Sequence, residues 1–162
     1  MKDGCDFRKG DLRLYTIGYE GTSIDEFTAA LIEARIDVLV DIRELPLSRK
    51  KGFSKNSLRE AVEARGIRYE HIRALGDPRP GRLAAREKRY GDFRRIFRSH
   101  LSGSDAQNAL SDLGARAKNE TICLLCFEYC EEHCHRKIVA DEIGDNEGVV
   151  VHHLRANGTN RR

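Results

Sequence analysis

The chain has 162 residues, of which 40% are apolar and 34% charged, with a mean hydropathy of −0.59, the profile of one globular domain with a single core. No run of about 18 apolar residues occurs and the first 15 residues are charged, so the sequence argues against a membrane span and a secretory signal. The formal net charge of +3 hides an asymmetry: residues 1–42 carry −4, 43–98 carry +10, 99–154 carry −6 and 155–162 carry +3. Arginine outnumbers lysine 21 to 8, a balance suited to bidentate contacts with phosphate or carboxylate, although a solvated basic face would look the same.

Residues 12–17 (Leu-Arg-Leu-Tyr-Thr-Ile) read as a first strand, followed by a loop from Gly18 to Thr22. Ser23 with Glu26 three residues on forms a capping box, and Phe27, Ala30, Leu31 and Ala34 give one buried helical face. Residues 37–42 are a second strand whose Val38-Leu39-Val40 run lacks alternation, as a strand covered on both faces does. A basic loop from Arg43 to Phe53 leads to Ser54, which caps a helix carrying Leu58, Ala61 and Val62 and stopping at Gly66. Residues 67–72 are a third strand, and Gly76 to Gly81 a loop. Residues 82–101 read as one or two helices with Phe93, Ile96, Phe97 and Leu101 inward. Ser104 and Gln107 suggest a second capping box before a helix carrying Ala106, Leu110, Leu113 and Ala117. Residues 121–126 form a buried strand, a helix runs from about Glu132 to Ile143, and 148–154 hold the last strand. Alternating strands and helices predict a three-layer α/β fold: a mainly parallel, Rossmann-like sheet of about five strands with helices on both faces. Residues 12–154 form that domain, with flexible ends at 1–11 and 155–162.

Five cysteines, an odd number with no leader, point to reduced thiols in the cytoplasm. Cys5 lies in the charged N-terminus without an evident role. The other four, Cys123, Cys126, Cys130 and Cys134, fall within twelve residues beside His133 and His135. Three readings compete. The cluster has zinc-ligand types, but a strand over 121–126 would point Cys123 and Cys126 to opposite faces. Cys130 and Arg136 match Cys-x5-Arg, a phosphate cradle, yet the interior holds Glu131 and Glu132 and no glycine. Alternatively Cys126, at a strand end near a helix N-terminus, is an activated thiol or an inert core residue.

In parallel α/β sheets ligands bind beyond the carboxyl ends of the strands. The residues placed there are Tyr19 and Glu20; Arg43, Ser48 and Arg49; and Cys126, Glu128, Cys134, His135 and Arg136. The leading expectation is therefore a small anionic ligand, phosphate-bearing or nucleotide-like. Tyr19, Arg43, Ser48, Arg49 and Arg136 would bind it, and Glu20, Cys126, Glu128 and His135 are the catalytic candidates. A different class of function rests on the basic stretch 79–98. Arg82, Arg86 and Arg89 would share a helical face, with Tyr90 and Phe93 as stacking surfaces, for nucleic acid.

Several ordered motifs carry a resemblance: Tyr15-Thr16-Ile17-Gly18-Tyr19-Glu20-Gly21; Val40-Asp41-Ile42-Arg43 with Pro46 and Ser48-Arg49; Gly52-Phe53-Ser54-Lys55; Gly66-Ile67-Arg68-Tyr69 with Leu75-Gly76; and Leu124-Leu125-Cys126-Phe127-Glu128 with Cys134-His135-Arg136. Over residues 12–154 the chain resembles the domain of unknown function 488 family, which implies a small cytoplasmic α/β protein and leaves the substrate open. The resemblance implicates Tyr19, Glu20, Asp41, Arg43, Ser48, Arg49, Cys126, Glu128, Cys134, His135 and Arg136. Cys123 and Cys130 lie outside its pattern, which leaves Cys126, Cys134 and His135 as a smaller metal site, with zinc the possible ion.

Overall fold

Strand β1 (Arg13–Gly18) is buried from Leu14 onward, and β2 (Val38–Asp41) and β4 (Ile122–Cys126) are buried at every position. Such strands need cover on both faces, and the computed structural model, which describes residues 12–156, supplies it. The sheet has the order β3-β2-β4-β1-β5, with β3 (Arg68–His71) and β5 (Val150–Leu154) at its edges, and every pairing is parallel. Leu14 to Gly18 register against Ile122 to Cys126, and Val38 to Asp41 against Ile122 to Leu125. The three-layer α/β expectation is met.

Alternation along the strands divides the core. Val38, Val40, Ile122 and Leu124 face helices α4 (Tyr90–Leu101), α5 (Ser104–Arg116) and α6 (His135–Glu147), through Phe93, Phe97, Leu110, Leu113 and Val139. Leu39, Cys123 and Leu125 face α1 (Ile24–Glu33) and α2 (Lys55–Glu63), through Phe27, Leu31, Leu58 and Val62. The Ser23–Glu26 capping box is present: Ser23 Oγ accepts the Glu26 N–H and the Glu26 carboxylate accepts the Ser23 N–H.

Four local expectations are corrected. Helix α3 (Arg79–Arg86) begins inside the expected 76–81 loop, because Pro80 sits in its first turn, where a missing N–H breaks no helical bond. The chain then breaks at Lys88, whose φ is 60°, before α4 starts. Ser54 is at the N-cap of α2 but makes no side-chain cap bond there; its hydroxyl instead donates to the Ser48 carbonyl. The Ser104–Gln107 box does not form. Gly103 holds the N-cap position of α5, and Gln107 donates back to the Leu101 carbonyl. The last long helix starts at His135 rather than near Glu132, since Glu131–His133 is a 3-10 turn and Cys134 is extended. Cys5 and the expected flexible end 1–11 lie outside the described residues, as do residues 157–162. Arg155, by contrast, pairs with Glu131 and stacks over Tyr129. Among the described residues no helix is long and apolar enough to cross a membrane.

Candidate functional site

A crevice of about 570 Å³ opens at the carboxyl ends of the strands. Its walls come from four segments: Tyr19 and Glu20 after β1, Arg43 to Leu47 after β2, residues 126–135 after β4, and α3 with Tyr90 and Phe93. The order of the sheet places it there. Helix α1 leads from β1 to β2, and α6 leads from β4 to β5, so the chain leaves the adjacent strands β1 and β4 toward opposite edges of the sheet.

Cys126, Cys134 and His135 form its floor, all buried, and their ligand atoms lie within 4.8 Å of one another. Cys126 ends β4; its Sγ donates to Glu128 Oε2 at 3.1 Å and lies 3.4 Å from His135 Nδ1. Cys134 is the N-cap of α6, where its Sγ accepts the Arg136 N–H at 3.5 Å and lies 3.8 Å from His135 Nδ1. His135 Nε2 meets the Ile42 carbonyl at 2.7 Å. A carbonyl only accepts, so Nε2 carries hydrogen, and in the neutral ring the Nδ1 lone pair faces the two sulfurs.

These contacts separate the two thiols. Burial pushes the Cys126 thiol up, with Cys134 and Glu128 adding to it. Burial also opposes ionisation of Cys134, but the proximity of Cys126, His135 and Arg136 holds its pKa well below the ordinary thiol value. Burial works against charge on His135, yet Cys134, the Ile42 carbonyl and Asp77 raise it to about 9. Glu128 is pushed up to about 8, first by burial and then by Cys134. The surroundings thus favour the charged form more at Cys134 than at Cys126.

The sequence-predicted residues fall into three groups. Cys126, Glu128 and His135 come together at the floor. Glu20 lines the crevice, but one carboxylate oxygen accepts the Tyr129 N–H at 2.8 Å. The expected anion ligands behave otherwise. Arg136 is fully buried; its guanidinium donates to Thr16 Oγ1 and to the Glu128 and Tyr129 carbonyls, so it fastens the post-β4 loop and is no anion clamp. A side chain on Gly18 would strike that same Glu128 carbonyl, since a Cβ there would lie 1.8 Å from the oxygen. Arg43 makes a bidentate pair with Asp41 and donates to Tyr19 Oη and the Phe53 carbonyl, with 6% and 0% exposure for Arg43 and Asp41. Tyr69 Oη completes the Asp41 shell at 2.5 Å. Burial opposes the Arg43 charge, but Asp41 and Tyr19 raise its pKa. Ser48 shapes its own loop through Ser54 and the Lys50 N–H, and Arg49 is exposed away from the crevice lining.

Other cysteine arrangements fail. Cys123 sits in the core on the α1–α2 side, where burial raises its thiol pKa, so a four-cysteine metal site does not assemble. The Cys130–Arg136 cradle fails because Arg136 is committed to carbonyls and residues 131–133 form a turn.

The basic stretch contributes more than expected in one place and less in another. Arg82 and Arg86 of α3 line the crevice, whereas Arg89 lies past the helix break and pairs with Glu87 and Asp92. The three therefore do not share one helical face. Arg82 pairs with Glu44 and donates to the Asp77 carbonyl. Arg86 is exposed and has no charged or hydrogen-bonding partner among the described residues. Phe93 is buried, so it offers no free stacking surface, and Tyr90 stacks on His133 at 4.5 Å. Leu45, Leu47 and Phe127, 53%, 74% and 45% exposed, form an apolar lip.

Asp77 is the residue that the sequence reading missed. It lines the crevice at 5% exposure, and its Oδ1 has no hydrogen-bond partner among the described residues. Burial pushes its carboxyl up to about 6 against the opposing pull of His135. Its one signal was the Gly76-Asp77-Pro78 turn, with Gly81 a helical turn later; a Cβ at Gly81 would stand 2.0 Å from Asp77 Oδ1.

No curated protein and no solved structure matches this chain. The family described as "Domain of unknown function DUF488" matches residues 23–143, a span that holds α1 through most of α6 and nearly every crevice wall. The chain belongs to the DUF488 family.

Proposed function

We propose that the crevice binds a small anionic ligand of nucleotide-like build. Its phosphate lies at Arg86 and Arg82, and its flat, less polar part lies against Phe127 and the Tyr90–His133 pair. The observation that carries this reading is Arg86: an exposed guanidinium on the rim of a concave site, one helical turn from Arg82, with no partner among the described residues. Arginine in that position matches phosphate oxygens bidentately. Asp77 Oδ1, buried and without a hydrogen-bond partner among the described residues, supplies an acceptor for a ligand N–H.

Thermal unfolding with adenosine monophosphate, or another nucleoside monophosphate, tests it. A ligand at 100 times its Kd stabilises the fold by about 2.7 kcal/mol, and Arg86→Ala should remove that shift. No shift for any nucleotide or sugar phosphate tried at millimolar concentration rejects the reading.

A second reading, nucleic acid, is favoured by Arg79, Arg86, Arg94, Arg95 and Arg98, all exposed on the successive helices α3 and α4. Affinity for a single-stranded oligonucleotide that falls steeply with salt supports it, and salt-insensitive or absent binding removes it.

A further inference from the structure

We infer that Cys126, Cys134 and His135 form a three-ligand site for a borderline-soft divalent ion, Zn²⁺, whose fourth position opens into the crevice. The atoms are already spaced for it. A tetrahedral zinc with Zn–S near 2.3 Å and Zn–N near 2.0–2.1 Å sets its sulfur and nitrogen ligands about 3.5 Å apart. The His135 Nδ1 separations are 3.4 Å to Cys126 Sγ and 3.8 Å to Cys134 Sγ, and all three ligand atoms lie within 4.8 Å of one another.

The surroundings make the same case independently. A metal-binding histidine usually donates its second ring N–H to a carbonyl or carboxylate, which fixes the tautomer and the ring orientation. His135 does so through Nε2 to Ile42, leaving Nδ1 as the ligand atom on the sulfur side. The backbone supports the sulfurs as well: Cys126 closes a central strand, and Cys134 opens a 13-residue helix. The ligands therefore sit on rigid elements. Two thiolates balance the charge of Zn²⁺, so the loaded site adds no net charge to a buried location. Three protein ligands leave one position free, and the crevice lies on that side, lined by all three ligands and by Glu128 and Asp77. Cys123 and Cys130 are not needed: the first is on the opposite core, and the second is on the wall. The site stands whether or not the crevice also takes an anion.

Reduced full-length protein, stripped with chelator and titrated with Co²⁺, is the experiment. The expected result is one equivalent bound with the absorption of a tetrahedral site carrying two thiolates, displaced by one equivalent of Zn²⁺. Cys134→Ser and Cys126→Ser should each cost at least about 100-fold in affinity, the upper end of what loss of an outer-shell partner costs, and remove half of the thiolate-to-cobalt band. Cys123→Ser and Cys130→Ser should change neither. Azide should shift the cobalt bands by entering the fourth position. A folded, reduced wild-type protein that binds no Co²⁺ or Zn²⁺ against a micromolar chelator overturns the site, as does equal loss in Cys130→Ser. Stoichiometry and band intensity on the wild type decide even where a serine variant does not fold. A bound cobalt blind to azide overturns the open position. The nucleotide thermal shift is read separately, so failure of the anion reading leaves the metal result intact.

Discussion

Two sets of arginines lie at different depths in and around the same crevice, and their contacts differ. Arg43, within its wall, and Arg136, behind the post-β4 loop, are buried, each with its guanidinium filled by protein acceptors. Arg82 and Arg86 stand on its rim, half-buried and exposed, and only Arg82 has a carboxylate partner. A buried guanidinium needs hydrogen-bond partners to offset its desolvation, and here the protein supplies them. An exposed one on a concave rim is free to meet a ligand. Position in the fold, not residue type, separates the structural arginines from those that the proposed ligand would meet.

The sharpest way to break this comparison is to remove a buried member. Arg43→Ala leaves Asp41 as an uncompensated charge in the core beside Tyr69, and Arg136→Ala leaves the Glu128 and Tyr129 carbonyls unbonded. Each should cost about 3–5 kcal/mol in urea unfolding, with or without ligand. A loss under about 1 kcal/mol would make these arginines ligand groups after all. Next in size is Gly18→Ala, whose Cβ would meet the Glu128 carbonyl at 1.8 Å. It should destabilise by about 1–3 kcal/mol and loosen the floor, read as faster thiol labelling of Cys126 and Cys134.

Much of this was legible in the sequence where the controlling forces are local. The Ser23–Glu26 box and the unbroken Val38–Val40 run declare a helix start and a doubly covered strand within a few residues. Strand ends placed Tyr19, Arg43, Cys126 and His135 near one another, because a parallel sheet gathers its carboxyl ends at one edge. Depth was not legible. Nothing local distinguishes Arg136, fully buried under a loop, from Arg86 on a rim, since desolvation is decided by elements far along the chain. The same holds for Asp77, and for the two thiols, which are set apart by a helix N-cap and a histidine contact that spacing alone does not reveal. Propensity misplaced α3 for a smaller reason: Pro80 and Gly81 signal a loop unless they fall in a first helical turn.

Asp77 gives a pH-dependent test of depth. Its folded carboxyl pKa, about 6, lies above the ordinary 3.8, so ionising it disfavours the fold. The stability held by its protonated form is complete below about pH 4 and is lost as pH rises through about 6. Asp77→Asn should therefore match the wild type near pH 4 and exceed it by about 1–3 kcal/mol at pH 7.5. Equal curves across that range would place Asp77 in solvent contact. The apparent gain should come with weaker nucleotide binding, because a neutral amide oxygen accepts a ligand N–H less strongly than a carboxylate does.

The smallest stability effect belongs to the rim. Arg86→Ala touches no core contact and breaks no ion pair among the described residues, so unfolding should shift by less than about 0.5 kcal/mol. Nucleotide-induced stabilisation should nevertheless vanish, and Arg86→Lys should restore only part of it, since a point charge cannot reproduce the bidentate fork. Arg82→Ala should fall between the two sets: a modest loss of stability through Glu44 and the Asp77 carbonyl, and a partial loss of binding. If Arg86→Ala instead unfolds the protein, or Arg43→Ala removes binding while leaving stability untouched, the division between buried and rim arginines is wrong, and the anion belongs deeper, against the floor itself.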